Sequence, residues 1–359
     1  MSSFFRSNVD AMTGYIPGEQ PKPGTPIIKL NTNENPYPPS PKAIAVLREL
    51  DPEWLRRYPN AYANPFREAV SEVLDVPMDW IIVGNGSDEL LNVVIRACAE
   101  PGRSVVYPMP TYVLYRTLAE MQPAEAIEIP YPDDYRLPVE ALFAAQGAVT
   151  FIASPNSPSG HSVPLDDLRQ LATGLSGILV VDEAYVDFAE ETALPLVQEF
   201  NNVMVMRTLS KGYSLAGLRL GFGIANPQLL SGLFKVKDSY NVDAIAALVG
   251  AAAMRDQAYK NECAEKIKLS RSKLATHLQE LGFQLWHSQA NFLLVQPPVR
   301  ASNPSSTAES IYLALKEKGI LVRYFKQPGL SDKLRITVGT DTQNQALLEA
   351  LQEQIRSDG

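Results

Sequence analysis

Short apolar runs recur through the middle of the chain, and each is closed by polar or turn-forming residues. WIIVGNGSDELLNVVIRACAE, at 80–100, reads as a strand, a Gly-rich turn and a helix. SVVYPMPTY (104–112), AVTFIASPNSP (148–158), GILVVDEAYVDF (177–188) and NVMVMRTLS (202–210) read as further strands with polar ends. Helical patterns such as LDDLRQLATGL (165–175) fall between them. Strands that alternate with helices predict an α/β unit, a mostly parallel sheet between helices. Ligands of such sheets bind beyond the carboxyl ends of the strands, where these polar tails lie.

The flanks differ. Residues 1–40 are rich in Pro, Gly and Asn, as in GYIPGEQPKPGTP and NTNENPYPPSP, so no long helix forms there and an extended arm is expected. After about residue 250 the pattern predicts a long helical stretch over 244–280, then FLLVQ (292–296), a helix in 306–319, the strands ILVRYF (320–325) and KLRITVG (333–339), and a last helix over 343–356. The expected organisation is an arm (1–40), a large α/β domain (41–250) and a smaller α+β domain (251–359).

Length and composition agree. A chain of 359 residues exceeds what one core usually serves. The net charge of -8 disfavours a phosphate-backbone partner. No apolar run is long enough for a membrane span, and MSSFFRSNVD lacks the apolar core of a secretion signal, so a cytoplasmic enzyme is expected. Cys98, Cys263, His161, His277 and His287 are scattered and form no metal-ligand spacing.

The chemistry is concentrated in a few stretches. Asp182 and Glu183 follow a run apolar enough to be buried on both faces, which puts both acids and Tyr185 in the expected crevice. A buried carboxylate needs a cation or a donor, and a protonated pyridine nitrogen is one such partner. The GNGSDE turn (84–89) offers backbone N–H groups at a helix N-terminus, suited to a phosphate, although Glu89 stands where a dinucleotide fingerprint needs its third glycine. In RTLSKGYSLAGLRLGFG (207–223), Thr208, Ser210 and Arg219 also suit a phosphate, and Lys211 suits Schiff-base formation. An aldehyde, a pyridine nitrogen and a phosphate on one ligand describe pyridoxal phosphate.

At this point the chain resembles the fold-type I, pyridoxal-phosphate-dependent aminotransferases of the histidinol-phosphate aminotransferase family. The resemblance runs from NTNENPYPPSP through RYPN, GNGSDE, YPMPTY, SPNSPSG, DEAYVDF and RTLSKGYSLAGLRLGF to GILVRYF and LRITVGT. It implies that Lys211 carries the cofactor and moves the substrate proton, with Asp182 on the pyridine nitrogen and Tyr185 on the phenolic oxygen. Tyr112 would stack on the ring. Ser87, Asp88, Thr208, Ser210 and Arg219 would hold the phosphate, joined by Tyr58 from the other subunit of a homodimer. Arg335, with Arg323, would bind the anionic end of the substrate, and Tyr15 would help close the pocket.

Two positions depart from the family pattern. Ser157 stands where an asparagine usually reaches the phenolic oxygen, which leaves Ser157 through a shifted loop or water, or a rotated Asn156, to make that contact. Ser239 stands where proline often precedes Tyr240. The implied reaction is transamination of L-histidinol phosphate with 2-oxoglutarate. The same cofactor residues would serve an aromatic amino-acid aminotransferase, a threonine-phosphate decarboxylase or a cofactor-binding regulator.

Overall fold

The computed structural model describes residues 4–14, 18–22, 24–298 and 308–357. Among the described residues twelve strands form two sheets. In chain order they are β1 (Ile28–Leu30), β2 (Ile81–Asn85), β3 (Val105–Met109), β4 (Ala126–Pro130), β5 (Val149–Ala153), β6 (Ile178–Asp182), β7 (Val203–Thr208), β8 (Leu220–Ala225), β9 (Gln284–Leu285), β10 (Phe292–Gln296), β11 (Ile320–Tyr324) and β12 (Leu334–Thr337).

The larger sheet has the order β2-β8-β7-β6-β5-β3-β4. Neighbours pair in parallel except at β8, which runs against both β2 and β7. Alternation along the central strands explains their continuous apolar character. Phe151, Val180, Met204 and Met206 enter one buried cluster, whereas Ile152, Val181 and Val205 enter the other, on the opposite face. Both faces are therefore dry, and the polar residues that close β5, β6 and β7 are presented at one end of the sheet.

The second sheet has the order β1-β11-β12-β10-β9. Its apolar face packs with the Gln257–Glu280, Ala308–Glu317 and Asp341–Ser357 helices around Leu274, Leu293, Leu315, Ile336 and Leu347. β1 lies in the expected arm, and it pairs in parallel with β11 through Ile28↔Ile320, Lys29↔Leu321 and Leu30↔Val322. The arm also holds a short helix, Ser7–Ala11. Asn8 Nδ2 donates to the carbonyl of Glu120 at 2.8 Å, and Arg6 donates to that of Met121 at 2.9 Å.

The helical stretch expected over 244–280 is two helices, Ala244–Arg255 and Gln257–Glu280, divided at Asp256. Asp256 is buried, accepts a hydrogen bond from Ser40 Oγ and pairs with Lys42 Nζ at 3.0 Å. Apolar periodicity carries no sign of this break, because it is made by partners more than two hundred residues away in the chain.

Close approach of backbones at the start of β6 gives a test. A Cβ at Gly177 would collide with the carbonyl oxygens of Gly147 and Ala148, which are backbone and cannot step aside. Gly177→Ala should cost at least about 2 kcal/mol in urea unfolding. Gly232 lies in the Pro227–Val236 helix with nothing within 4 Å of the added carbon. Gly232→Ala should stabilise by roughly 0.5–1 kcal/mol, and equal effects of the two substitutions would contradict this packing.

Candidate active site

A cleft of about 650 Å³ opens at the carboxyl ends of β5, β6 and β7 and runs to the edge of the second sheet. Asp182 closes β6, and its side chain is buried. Its carboxylate accepts from Tyr115 Oη at 2.8 Å and from the N–H of Ala184 at 3.2 Å. Burial pushes its pKa up to about 6, against the lowering effect of the Tyr115 bond. Lys211 lies just past β7, and its Nζ donates to the carbonyl of Thr32 at 3.1 Å. Burial, reinforced by the Arg335 and Arg219 guanidinium groups, lowers its pKa to about 8. The site thus holds an acid and a base, each moved by desolvation toward its uncharged form.

Glu183, expected in the crevice, faces the other way. Successive side chains of an extended strand end point to opposite sides, so Glu183 enters the interior when Asp182 faces the cleft. There it pairs with Arg207 Nε at 2.8 Å and accepts from Thr192 Oγ1 at 2.8 Å.

An anion cradle lies beside these groups. The Ser87–Cys98 helix begins after Gly86, which has φ +79° and supplies no capping side chain, so the first-turn N–H groups of Ser87 and Asp88 face outward. A Cβ at Gly86 would lie 2.6 Å from the Arg219 guanidinium, and one at Gly221 would strike the backbone nitrogen of Ser87. Glycine at both positions is what lets β8, the helix start and Arg219 converge. Thr208 Oγ1 and Ser210 Oγ stand 3.0 Å apart, both buried. Asp88 ties the rim together, accepting from Arg219 at 3.1 Å and from Tyr112 Oη at 3.2 Å.

Two arginines face the cleft from the second sheet. Arg323 and Arg335 are direct cross-strand partners of β11 and β12. Arg335 donates to Ser157 Oγ at 2.8 Å and to the carbonyl of Asn31 at 3.0 Å, and its guanidinium lies over Phe292 and Phe325. Like charges directly opposite repel, so this pair fits a place where an anion comes between them.

The family model described as aminotransferase class I and II matches residues 25–351. The chain belongs to this family. Among aminotransferases, it is 67% identical over 357 residues to a protein from Nostoc sp. named histidinol-phosphate aminotransferase 1, with 99% of each chain covered. It is 44% identical to the histidinol-phosphate aminotransferase of Citrifermentans bemidjiense, with 97% of each covered. The crystal structure of histidinol-phosphate aminotransferase from Sinorhizobium meliloti in complex with pyridoxal-5'-phosphate matches with a TM-score of 0.89 and 26% identity, over 100% of this chain and 99% of that one. The fold is that of the fold-type I aminotransferases, as the resemblance implied, and its larger sheet is the mostly parallel one that the alternation of strands and helices predicted.

In this aminotransferase the cleft collects Ser87, Asp88, Tyr112, Ser157, Asp182, Tyr185, Thr208, Ser210, Lys211, Arg219, Arg323 and Arg335. Asn156 does not line it. Its side chain is fully buried behind the loop, where Oδ1 accepts from Thr111 Oγ1 at 2.6 Å and Nδ2 donates to Ser159 Oγ at 2.9 Å and to the Pro110 carbonyl at 3.1 Å. Tyr58 lies outside the cleft of its own chain, 84% exposed and stacked on Tyr240 at 4.9 Å. Tyr15 falls outside the described residues. Tyr115 and Asn33, which sequence reasoning passed over, both touch the site. Tyr115 follows Tyr112 by three residues, and that spacing is the one local hint. Among the described residues no cluster of potential metal ligands occurs, and no helix is long and apolar enough to cross a membrane.

The raised pKa of Asp182 has a consequence for stability. With a folded value near 6 and a lower unfolded one, its contribution is most favourable at low pH and is lost as pH rises through 6. Asp182→Asn removes the buried charge, and the amide can still accept from Ala184 and donate to Tyr115 Oη. In cofactor-free protein at pH 8 this substitution should raise unfolding stability by about 2 kcal/mol, and the gain should vanish near pH 4. A loss of stability at pH 8 would show that Asp182 is better solvated than its burial indicates.

Proposed function

We propose that this chain catalyses pyridoxal-phosphate-dependent transamination of L-histidinol phosphate with 2-oxoglutarate, giving imidazole acetol phosphate and L-glutamate, a step of histidine biosynthesis. The observation that carries the reaction class is the convergence of a buried amine, a buried carboxylate and an anion cradle in one cleft of this family. The substrate assignment rests on the names of relatives that match over nearly the full length of both chains.

The residues fit the cofactor. The glycine-lined helix start with Thr208, Ser210 and Arg219 suits its phosphate, and Asp182 suits its ring nitrogen. Lys211 suits its aldehyde. When bound, pyridoxal phosphate supplies an aldehyde that combines with amines and a ring that draws electron density from the adjacent carbon. Asp182, excluded from water, holds a proton on the ring nitrogen far more firmly than an exposed carboxylate could. Lys211, with its pKa near 8, exists partly as free amine at neutral pH and would take the proton from the substrate α-carbon and return it two atoms along, beyond the nitrogen. Tyr112 would cover one face of the cofactor ring and Tyr185 would reach its phenolic oxygen, both lining the cleft. Arg335 and Arg323 hold the anionic end of either substrate with planar, always-charged forks. One protein thereby serves a phosphate ester and a dicarboxylate in alternating half-reactions.

Tyr58 is assigned to the cofactor phosphate of a second copy, and the functional unit is a homodimer. The exposed ring pair of Tyr58 and Tyr240, with Trp54, Leu55 and Tyr62 also exposed nearby in sequence, supports that surface as the contact. The enzyme is assigned to the cytoplasm.

Substrate choice is read from the visible spectrum of the holoenzyme without an oxo acid. L-Histidinol phosphate at low concentration should convert the aldehyde-form band to the amine-form band, whereas L-phenylalanine should require far more. Equal response to phenylalanine would move the assignment to a broad aromatic aminotransferase, and carbon dioxide release from L-threonine phosphate would make the protein a decarboxylase. For the dimer, Tyr58→Phe should weaken cofactor retention about tenfold on dialysis, as expected for one lost charge-assisted bond. Retention equal to wild type, or a monomer in sedimentation, would remove Tyr58 from the site.

A further inference from the structure

The segment from Asn31 to Asn35 lies along the cleft and touches its working groups from one side. The carbonyl of Asn31 accepts from Arg335, and that of Thr32 accepts from Lys211 Nζ. Asn35 Nδ2 donates to the carbonyls of Lys211 at 3.1 Å and Gly212 at 3.2 Å. Asn33 Nδ2 reaches Tyr185 Oη at 2.8 Å.

Asn33 is the most constrained of these. It is 1% exposed and sits at φ +57°, a left-handed conformation that asparagine tolerates and most side chains do not. Its N–H donates to Thr337 Oγ1 at 3.0 Å, and Thr337 Oγ1 lies 3.0 Å from Asn33 Oδ1. Its carbonyl accepts from Asn291 Nδ2 at 2.9 Å. These bonds fix the direction of the side-chain amide. Thr337 Oγ1 accepts the Asn33 N–H and gives its single hydrogen to Oδ1. Oδ1 is therefore the acceptor end, and Nδ2, which can only donate, is the end that meets Tyr185.

The direction then passes to the tyrosine. Tyr185 Oη receives a hydrogen from Asn33, so its own hydrogen must leave along another direction. Ser157 Oγ, on the cleft side, receives a hydrogen from Arg335 at 2.8 Å, and its own hydrogen bond to Tyr185 favours the phenolate, as a donor does. We propose that Asn33 is a positioning residue, whose amide, locked by Thr337, turns the Tyr185 hydroxyl hydrogen into the cleft toward the phenolic oxygen of the bound cofactor. Asn33 brings this amide to Tyr185 from the N-terminal segment. The inference rests on the assignment of Tyr185 to that oxygen.

The charged groups facing Tyr185 are Arg335 from β12, Asp182 from β6 and Lys211 past β7, whose Nζ is 5.8 Å from the Tyr185 ring centre. Asn33→Gly, Thr337→Val and Thr337→Ser alter none of them, whereas Asn33→Asp adds a charge of its own. The test is the pH midpoint of the visible band of the pyridoxal-phosphate holoenzyme. A hydrogen donated to the phenolic oxygen favours the deprotonated chromophore, so losing it raises the midpoint. Tyr185→Phe should raise it by about one pH unit, a tenfold change in protonation constant. Asn33→Gly keeps the left-handed backbone and removes the amide, and should raise it by roughly half a unit. Asn33→Asp puts an acceptor against Tyr185, draws the hydrogen away from the cleft, and should raise it further than Asn33→Gly. Thr337→Val, which unlocks the amide, should move it the same way, while Thr337→Ser should match wild type.

A wild-type midpoint in Asn33→Gly, alongside a raised one in Tyr185→Phe, would overturn the inference and leave the Tyr185 assignment standing. An unmoved midpoint in Tyr185→Phe would overturn both. Should the Asn33 variants not fold, the contrast between Thr337→Val and Thr337→Ser decides, and equal midpoints there would overturn the positioning role.

Discussion

Two opposite ionisable groups are taken out of water at one end of a parallel sheet, and the surrounding structure is arranged around that desolvation. Asp182 rises to about 6 and Lys211 falls to about 8 for the same first cause, burial. Neither group is left bare. Tyr115 and the Ala184 N–H satisfy the carboxylate, and the Thr32 carbonyl satisfies the amine. These partners are neutral, so they solvate each charge without neutralising it. A ligand that brings a cationic nitrogen to Asp182 and an aldehyde to Lys211 relieves both strains at once. The unfavourable electrostatics of the free site is thus part of what makes it receptive.

Glu183 shows how little separates a functional acid from a structural one. It is adjacent in sequence to Asp182 and similarly buried, yet strand alternation turns it to the far side. There Arg207, Thr192 and the Ala193 N–H fill its hydrogen-bonding capacity, which makes a closed ion pair of low exposure. Such a pair fixes geometry and offers nothing to a ligand. Asp182, satisfied only by neutral donors, keeps an unmet preference for positive charge. The difference lies in the partners, and those come from strands and loops distant in the chain.

That distance also marks what the sequence could disclose. The buried strands β2, β3, β5, β6 and β7 were legible because each is an apolar run with a polar end, and Asp182 and Lys211 stood out as charges at those ends. β4 was not, since it is an edge strand of only partial burial and alternates weakly. β8 was not, because its glycines, needed for close approach to the helix start and to Met204, dilute its apolar signal. The break at Asp256, the inward turn of Glu183, the sequestration of Asn156 and the amide of Asn33 all depend on partners brought in by tertiary structure. The Asn31–Asn35 segment was legible only as a stretch that could not be a long helix. Its position beside Lys211, Tyr185 and Arg335 follows from β1 joining the second sheet, which no local pattern encodes.

The Arg323 and Arg335 pair carries the electrostatic argument from cofactor to substrate. Their strands hold them in direct register, where two like charges raise each other's energy. The structure offsets this with neutral acceptors, the Asn31 carbonyl and Ser157 Oγ, and with the faces of Phe292 and Phe325. These acceptors and aromatic faces hold the two planar forks in place side by side at the edge of the cleft, where the positive potential of the pair is concentrated.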